Sequence, residues 1–311
     1  MAVRARVIVD NDYVGDPDGL FQLAHHVLSP SVEIPFVIAS RLPAMMGPGA
    51  VDAVPRGVEA ARVVLELLGS RIPVVRGSDE GLEQGITPAL SPAAAAIIEE
   101  AMREDTTLPL YYAAGGGLTE LATAYLHEPA IAERLTLVWI GGKSYDADPD
   151  AGDGRPEFNV MIDFAAAQVV FAAPIPLWQV PQQTYGQCLV SWAELDACAR
   201  SGGALGRHLV DSLKGFVEML EGQFHLNLGE TFILGDNPLV LLTALQSSFE
   251  ADPATSASEW RTRPVLTADG RYDGARPDLP EVRLFVQLDT RLMLADMFAK
   301  FAAYGSETVT R

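Results

Sequence analysis

The sequence predicts a single α/β domain spanning residues 1–311, with a Rossmann-like, mostly parallel β-sheet flanked by helices. Over residues 1–180, short apolar runs alternate with longer amphipathic runs, as expected of strands and helices that follow one another. The short runs are apolar at nearly every position, which is typical of parallel strands buried on both faces. No internal repeat or low-complexity linker interrupts the chain, so one domain is the simpler prediction.

The alternation predicts each element in turn. The predicted strands are VRARVIVD (3–10), VEIPFVIAS (32–40), IPVVRG (72–77), LPLYYAA (108–114), LTLVWIGG (135–142) and IPLWQV (175–180). The helices between them are LFQLAHHVL (20–28), RGVEAARVVLELLG (56–69), AAAAIIEEAMRE (93–104), LTELATAYLH (118–127) and DFAAAQVVFAA (163–173). After residue 186 the patterns predict helices at 191–203, 204–223 and 237–249, a loop at 250–260, a hairpin of 263–274 with 282–289, and a last helix at 290–304.

The charge balance excludes some classes of partner. A net charge of −19 and a pI near 4.5 argue against a nucleic acid polymer or an anionic membrane surface, because both require a basic face. A small neutral or cationic ligand, or a metal, suits this balance better. Two cysteines are too few for a disulfide framework, and no stretch resembles a signal peptide or a membrane span. The expected setting is therefore the cytoplasm.

Four aspartates crowd the end of the first predicted strand, in VIVDNDYVGDPD (7–18). Ligands of parallel sheets bind beyond the carboxyl ends of the strands, which is where these acids are expected. Asp16 or Asp18 could cap the following helix, but one acid suffices for that. Four acids within nine residues raise one another's pKa unless a cation offsets their repulsion, and hard oxygen ligands select Ca²⁺ or Mg²⁺.

A Mg²⁺-dependent phosphatase is one interpretation of this cluster. Asp10 to Val14 fits the D-x-D-x-[TV] motif of haloacid dehalogenase-like phosphatases, in which Asp10 would accept the phosphoryl group and Asp12 would act as acid and base. That class also needs a later pair of acids after an apolar strand. The best later segment, around Asp236, has one.

A second interpretation accounts for more of the chain. The cluster, D-x-D-x-x-G-D-x-D, resembles the N-terminal signature of the nucleoside hydrolase family of inosine-uridine preferring and related N-ribohydrolases. Four more segments resemble family segments in the same order: IPVVRGSDEGL (72–82), AAGGGLTELATAYLHEPAIAERLTLVWIGG (113–142), EFN (157–159) followed by Asp163, and GDNPLVLLTAL (235–245). Five collinear segments are hard to obtain by chance.

The resemblance implies a Ca²⁺-dependent hydrolase of ribonucleosides, purine or pyrimidine, that assembles as a homo-oligomer, a dimer or a tetramer. In such an enzyme a bound cation holds the ribose hydroxyls and a water, and one aspartate takes a proton from that water. A further alternative is a non-catalytic homologue that binds metal and ribose. The implied roles are metal ligands at Asp12, Asp18, Thr119 (through its carbonyl) and Asp236, a general base at Asp16, support of these ligands by Asp10, and ribose binding by Glu157 and Asn159.

Departures from the family pattern leave two questions open. The family has adjacent aspartates where this chain has Asp16-Pro17-Asp18-Gly19, so either Asp16 is the base and Asp18 the ligand, or Asp18 is the base. Gly235 replaces the histidine that activates the leaving group. We expect His225 to substitute for that histidine and Trp178 or Tyr185 to stack on the base.

Two long loops and one substitution complete the expectations. Residues 41–57 and 144–159 are rich in glycine, proline or acids, and both should lie on the ligand side of the sheet. Glu120 replaces an asparagine of the family pattern, which puts a substrate contact in question.

Overall fold

The computed structural model describes residues 1–43, 50–147, 154–225, 227–247 and 255–309. The strands are β1 (Ala5–Asn11), β2 (Val32–Glu33), β3 (Val37–Ala39), β4 (Val74–Arg76), β5 (Leu110–Ala114), β6 (Leu135–Ile140), β7 (Leu177–Val180), β8 (Leu189–Ser191), β9 (Thr231–Ile233), β10 (Ser258–Arg261), β11 (Pro264–Leu266), β12 (Tyr272–Ala275) and β13 (Val282–Phe285). The helices are α1 (Asp18–Val27), α2 (Ala53–Leu67), α3 (Pro92–Ala101), α4 (Thr119–His127), α5 (Phe158–Ile162), α6 (Phe164–Ala172), α7 (Gln182–Tyr185), α8 (Trp192–Ser201), α9 (Gly203–Phe224), α10 (Pro238–Thr243) and α11 (Thr290–Val309).

The central sheet is mostly parallel, as predicted. Its strand order is β10-β13-β7-β6-β5-β1-β3-β4, and only the β10–β13 pair among these described strands is antiparallel. The chain leaves β1 toward β3 and β4 on one side, then returns to β5 on the other side. The order therefore reverses between β1 and β5, and a crevice opens beyond the carboxyl ends of strands at such a reversal.

Two predicted strand segments differ in the structure. The run 32–40 is two short strands, because Pro35 interrupts it; β2 pairs with the start of β1 and β3 with its end. The predicted hairpin forms between β11 and β12 alone. The run VRLFVQLD was wrongly assigned to that hairpin, because β13 enters the central sheet beside β7.

Helices cover both faces of the sheet, and β1 shows why. Its seven residues are all buried, with Val7 and Val9 packed in one hydrophobic core and Ile8 in the other. The first core lies against α1, α2, α9, α10 and α11, and the second against α3, α4 and α6. Within the described ranges, no helix combines the length and the apolar character that a membrane crossing requires.

Candidate active site

The predicted acids converge at the carboxyl end of β1. Asp12 directly follows β1, Asp16 lies in the connecting loop, Asp18 begins α1, and Asp236 lies just before α10. The side chains of Asp12, Asp18 and Asp236 are buried, whereas Asp16 is half-buried. These four acids line a cavity of about 200 Å³. Its other walls are Gly15, Gly115, Ile140, Glu157, Phe158, Asn159, Tyr185, Phe216 and Gly235.

Hydrogen bonds hold the cluster together from outside the cavity. The Asn11 amide donates to Asp236 Oδ2 at 2.7 Å, and its oxygen accepts the backbone N–H of Asp12 at 2.8 Å. Asp18 Oδ2 accepts the backbone N–H of Asp236 at 3.0 Å. Asp16 Oδ1 accepts the backbone N–H of Asp18, the first residue of α1, at 3.2 Å, although the N-cap residue itself is Pro17, which makes no side-chain cap.

The electrostatics of these acids are unfavourable in the protein alone. Burial, followed by the charges of Asp18 and Asp16, raises the pKa of Asp12 well above its usual range. Burial likewise raises the pKa of Asp236 to about 8. Burial and the neighbouring Asp236 carboxylate raise the pKa of Asp18 as well. Such a pair needs a shared proton or a cation.

The chemistry of the donors fits a hard divalent cation. Asp12 Oδ2 is buried and has no hydrogen-bond partner, which costs free energy unless something else satisfies it. A Cβ at Gly15 would lie 3.0 Å from Asp12 Oδ1, and one at Gly115 would lie 2.9 Å from Asp236 Cγ, so glycines keep this space open. No three His, Cys, Asp or Glu side chains of the described residues form a closed metal site. The fit of these residues to a cation therefore rests on the unpartnered Asp12 Oδ2 and on the raised pKa values of the three buried aspartates.

One side of the cavity is formed by the EFN segment (157–159). Glu157 Oε2 accepts the backbone N–H groups of Gly142 (2.7 Å) and Asn159 (3.0 Å), and Oε1 accepts the Tyr185 hydroxyl at 2.9 Å. The Asn159 amide donates to the carbonyls of Ile140 (2.7 Å) and Gly115 (3.1 Å). Both side chains are therefore fixed at the carboxyl ends of β5 and β6, and both line the cavity with the aspartates.

Comparison with known families identifies the chain. A sequence profile of the inosine-uridine preferring nucleoside hydrolases matches residues 7–293. The chain belongs to this family. The predicted resemblance is confirmed, and membership makes the chain a hydrolase of N-glycosidic bonds. No curated protein matches the chain significantly.

Solved nucleoside hydrolases share the fold over nearly the whole chain. The inosine-uridine preferring enzyme of Bacillus anthracis is 16% identical, with a TM-score of 0.70 over 96% of this chain and 99% of that one. The purine-preferring ribonucleoside hydrolase of Gardnerella vaginalis is 17% identical, with a TM-score of 0.74 over 97% and 99%. A plant nucleoside hydrolase is 18% identical, with a TM-score of 0.72 over 96% and 99%.

One predicted metal ligand of this nucleoside hydrolase lies elsewhere. Thr119 begins α4, where its hydroxyl donates to Asp163 Oδ2 at 2.8 Å and its carbonyl accepts the Thr123 hydroxyl at 2.8 Å. It does not line the cavity, because its carbonyl points along the helix. Gly115, four residues earlier at the end of β5, lies beside Asp236 and lines the cavity. A backbone carbonyl has no sequence signature, so no residue type in the sequence singles out Gly115.

Two residues predicted for the base side are also outside the cavity lining. Trp178 lies within β7, where its ring packs 5.5 Å from that of Tyr111 and beneath the Arg283 guanidinium. His225 ends α9 in a left-handed conformation and is exposed. It follows Phe216, which does line the cavity, by nine residues, or roughly 13 Å of helix at about 1.5 Å per residue.

Three aromatic rings form part of the cavity wall. Phe158, Tyr185 and Phe216 all line the cavity. A side chain at Gly235 would lie 3.2 Å from the Tyr185 ring and 3.4 Å from Asp18 Oδ2. The Tyr185 ring therefore occupies much of the space that a side chain at position 235 would need. Phe216 lies on an ordinary amphipathic helix, so nothing in the sequence marked it.

Two other buried acids do not line the cavity. Glu120 Oε1 accepts the backbone N–H of Ser78 at 2.6 Å, and its other oxygen accepts the Ser91 hydroxyl. Glu120 therefore ties the loop after β4 to α3 rather than lining the cavity. Asp10 is buried within β1, where it accepts the Tyr112 hydroxyl. Of the two rim loops, residues 44–49 (including Met45 and Met46) and 148–153 lie outside the described residues.

Proposed function

We propose that this nucleoside hydrolase cleaves the N-glycosidic bond of ribonucleosides in a Ca²⁺-dependent reaction that yields ribose and the free base. The observation that carries the proposal is the meeting of three buried carboxylates, those of Asp12, Asp18 and Asp236, beside Glu157 and Asn159 in one cavity. The cavity is smaller than the roughly 300–1,000 Å³ of sites that enclose a whole ligand. It suits the pentose, with the base at its mouth.

The proposed metal ligands are the carboxylates of Asp12, Asp18 and Asp236 and the carbonyl of Gly115. Carboxylate and carbonyl oxygens are the donors that Ca²⁺ prefers, and its flexible coordination tolerates a mixed set. When bound there, the cation would lower the pKa of a water and hold the sugar hydroxyls. Asp10 is proposed to support this set from within β1, the strand that Asp12 directly follows.

Asp16 is the proposed general base. Its carboxylate faces the cavity and is less buried than those of Asp12 and Asp18, so water reaches it. One oxygen is held by the N–H of Asp18, which fixes the side chain and leaves the other oxygen for a water proton. Asp18, in contrast, is buried against the backbone of Asp236, as suits a ligand. This geometry favours the register with Asp16 as base.

Glu157 and Asn159 are the proposed ribose-binding residues. Their fixed positions, set by backbone donors and carbonyls, orient the sugar without reorganisation. The surrounding carboxylates stabilise the positive charge that develops on the sugar ring as the bond to the base breaks.

The base is proposed to stack on Phe158 and Phe216. Stacking on aromatic faces tolerates many bases, so we propose a scope that includes purine and pyrimidine nucleosides, as in salvage of free bases. Trp178 and His225 are left out of this site, because neither lines the cavity.

The phosphatase alternative is not favoured by the position of Asp10. A phosphoryl acceptor must be reached by substrate, but Asp10 is 1% exposed and does not line the cavity. Its pKa is raised to about 7, chiefly by burial, which further weakens it as a nucleophile.

A substrate panel tests the proposal. The protein, stripped of metal with a chelator, is assayed for release of reducing sugar from purine and pyrimidine ribonucleosides, before and after Ca²⁺ is restored. We expect sugar release only with Ca²⁺, and no phosphate from phosphomonoesters. Asp16→Asn serves as the control for contaminating activity. Sugar release that survives the chelator would contradict the metal dependence, and release of phosphate alone would contradict the reaction.

A further inference from the structure

A glutamine lies inside the apolar central sheet. Gln179 is the third residue of β7, and its side chain is fully buried in a strand that pairs with β6 on one side and β13 on the other. Strands buried in this way are apolar at nearly every position. Burying an amide there costs free energy unless its donors and its acceptor are satisfied, so the partners of Gln179 indicate why it is present.

Both polar atoms of the Gln179 side chain have partners. Its Nε2 donates to the Gly141 carbonyl at 2.8 Å and to the Tyr272 hydroxyl at 3.0 Å. Its Oε1 accepts the Tyr145 hydroxyl at 2.7 Å. The two tyrosine rings meet edge to face, with 4.9 Å between their centroids. Because Tyr272 belongs to the β11–β12 hairpin and Tyr145 to the loop after β6, the amide is held in one orientation from two directions.

One planar peptide group joins Gln179 to Glu157. The carbonyl of Gly141 and the N–H of Gly142 belong to this peptide and point in opposite directions. Gln179 holds the carbonyl, and the N–H donates to Glu157 Oε2 at 2.7 Å. Gly142 has a φ of 71°, a left-handed conformation that favours glycine, and a Cβ there would overlap the Tyr272 hydroxyl and the Gln179 amide. The orientation of the Gln179 amide therefore sets the direction of the bond to Glu157.

Hydrogen bonds, more than packing, fix the Glu157 carboxylate. Glu157 lines the aspartate cavity and also a second cavity of about 150 Å³, which Gly142 lines as well. A side chain beside two cavities has space to move, so its position depends on its donors. The bond from the Gly142 N–H, at 2.7 Å, is shorter than those from Tyr185 (2.9 Å) and Asn159 (3.0 Å).

We propose that Gln179 is a positioning residue that orients Glu157 for the sugar through the Gly141–Gly142 peptide. Tyr145 and Tyr272 orient Gln179 in turn, so the β11–β12 hairpin contributes to the site without lining the aspartate cavity. The inference rests on the proposed role of Glu157 in ribose binding. Misplacing a substrate-binding group by about 1 Å can lower a rate by about 100-fold.

Gln179→Met tests this role, because methionine has nearly the shape of glutamine but cannot donate to the Gly141 carbonyl. We expect kcat/KM for ribonucleosides, measured with Ca²⁺, to fall at least about 10-fold. In the Glu157→Ala background the same substitution should change kcat/KM about 2-fold at most, because the carboxylate that Gln179 positions is absent. No loss in the wild-type background, or a loss of equal size in both backgrounds, would overturn the proposal.

The Asn159 amide gives a second readout that needs no turnover. Its N–H donates to the same oxygen of Glu157 as the Gly142 N–H does. The chain has four asparagines, so labelling with ¹⁵N-asparagine gives a simple spectrum. We expect the Asn159 resonance to shift in Gln179→Met, and an unshifted resonance would overturn the proposal. A shift in a protein that hydrolyses no nucleoside would support the positioning and contradict the proposed function alone.

Two further variants separate positioning from general damage. Tyr272→Phe keeps Gln179 but removes its hydroxyl partner, so both readouts should change in the same direction by a smaller amount. If Gln179→Met does not fold, unchanged readouts in Tyr272→Phe would overturn the proposal. Gln168→Met removes another glutamine bond to the same hairpin, to the Leu266 carbonyl at 3.1 Å, and should leave both readouts unchanged. Changes in Gln168→Met as large as those in Gln179→Met would mean that any damage to the hairpin suffices, which would also overturn it.

Discussion

Two sets of buried acids lie at the same edge of the sheet, and their surroundings differ. Glu120 and Asp163 are fully supplied with donors: Ser78 and Ser91 serve the first, and Thr119 and the N–H groups of Leu82 and Ala166 serve the second. The partly buried Arg41 guanidinium also attracts both carboxylates. Asp12, Asp18 and Asp236 also face one another: Asp18 and Asp236 each accept a hydrogen bond from the protein, but Asp12 keeps an unpartnered buried oxygen.

For these two sets, the supply of protein donors, rather than burial, separates the acids with structural contacts from those proposed to bind a cation. A buried carboxylate that accepts several hydrogen bonds stabilises the fold, and its removal leaves donors unsatisfied. A buried carboxylate that faces other carboxylates destabilises the metal-free fold, and a bound cation would offset that repulsion. Substitution in the cavity set should therefore lower activity without lowering stability, and substitution of Glu120 should lower stability with little effect on activity.

The largest expected effect is on catalysis, from Asp12→Asn. It keeps the side-chain shape but removes one proposed ligand charge, so we expect kcat/KM to fall at least about 10³-fold, equivalent to roughly 4 kcal/mol. The free energy of unfolding of the metal-free protein should stay the same or rise, because one repelling charge is gone. Steady-state kinetics and denaturant titration measure the two quantities. A marked loss of stability with activity retained would place Asp12 with the structural acids.

The next effect separates Asp16 from Asp18. Asp16→Asn should lower kcat by about 10²–10⁴-fold while Ca²⁺ affinity is unchanged, because the base acts in the transition state. Asp18→Asn should weaken Ca²⁺ binding, and excess Ca²⁺ should partly restore its activity. Calorimetric titration of each variant with Ca²⁺ gives the affinities. If the two variants exchange these behaviours, Asp18 is the base and the register preferred here is wrong.

A smaller, opposite effect is expected at Glu120. Glu120→Ala leaves the Ser78 N–H and the Ser91 hydroxyl without their acceptor, which should lower the free energy of unfolding by about 1–3 kcal/mol. Ser91→Ala, which also removes the cap of α3, should cost about 1 kcal/mol. The kcat of folded protein should change only a few-fold in both. Loss of turnover in Glu120→Ala without loss of stability would show that this acid serves the substrate.

The smallest effect concerns a buried histidine, His26, at the far end of α1. His26 Nδ1 accepts from the Gln22 amide (2.6 Å), and its Nε2 lies 2.9 Å from the Thr243 hydroxyl, which donates its own proton to the Leu239 carbonyl. Nε2 therefore carries the proton, and the ring is neutral. Burial lowers its pKa from 6.5 to about 3.

The sign of the pH effect follows from that shift. Below pH 6.5 the unfolded chain gains a proton at His26 while the folded chain does not, so stability falls as pH falls from 6.5 toward 3. At one pH unit below 6.5, protonation of His26 in the unfolded chain lowers the free energy of unfolding by about 1.4 kcal/mol relative to its value at high pH. The pH dependence of unfolding in His26→Gln should be shallower than in the wild type over this window. Parallel curves would mean that His26 titrates normally in the folded state.

Much of the fold and part of the site could be predicted from the sequence. Alternating apolar runs predict β1 to β7 and their helices, because these patterns are local. The partner of β13 could not be predicted, since it is β7, about 100 residues earlier. The acid cluster and Glu157-Phe158-Asn159 follow from their motifs. Gly115 is proposed to act through its carbonyl, a backbone atom that every residue has, so no residue type reveals it.

Trp178 shows a further limit of sequence reasoning. An aromatic residue near the end of a strand can face the core or the ligand, and strand alternation decides which. Here it lies beside Val138 of β6 and Arg283 of β13 and packs on Tyr111. The position of the Trp178 ring follows only from the combined register of β6, β7 and β13.

The central claim is that Asp12, Asp18 and Asp236 share one cation, and a crystal structure grown with Ca²⁺ tests it most directly. We predict a single ion with six to eight oxygen ligands at about 2.3–2.6 Å, among them these three carboxylates and the Gly115 carbonyl. Glu120 and Asp163 should keep their protein donors in the same crystal. Density for no ion among the three carboxylates, or for an ion held by Glu120 and Asp163 instead, would contradict the account.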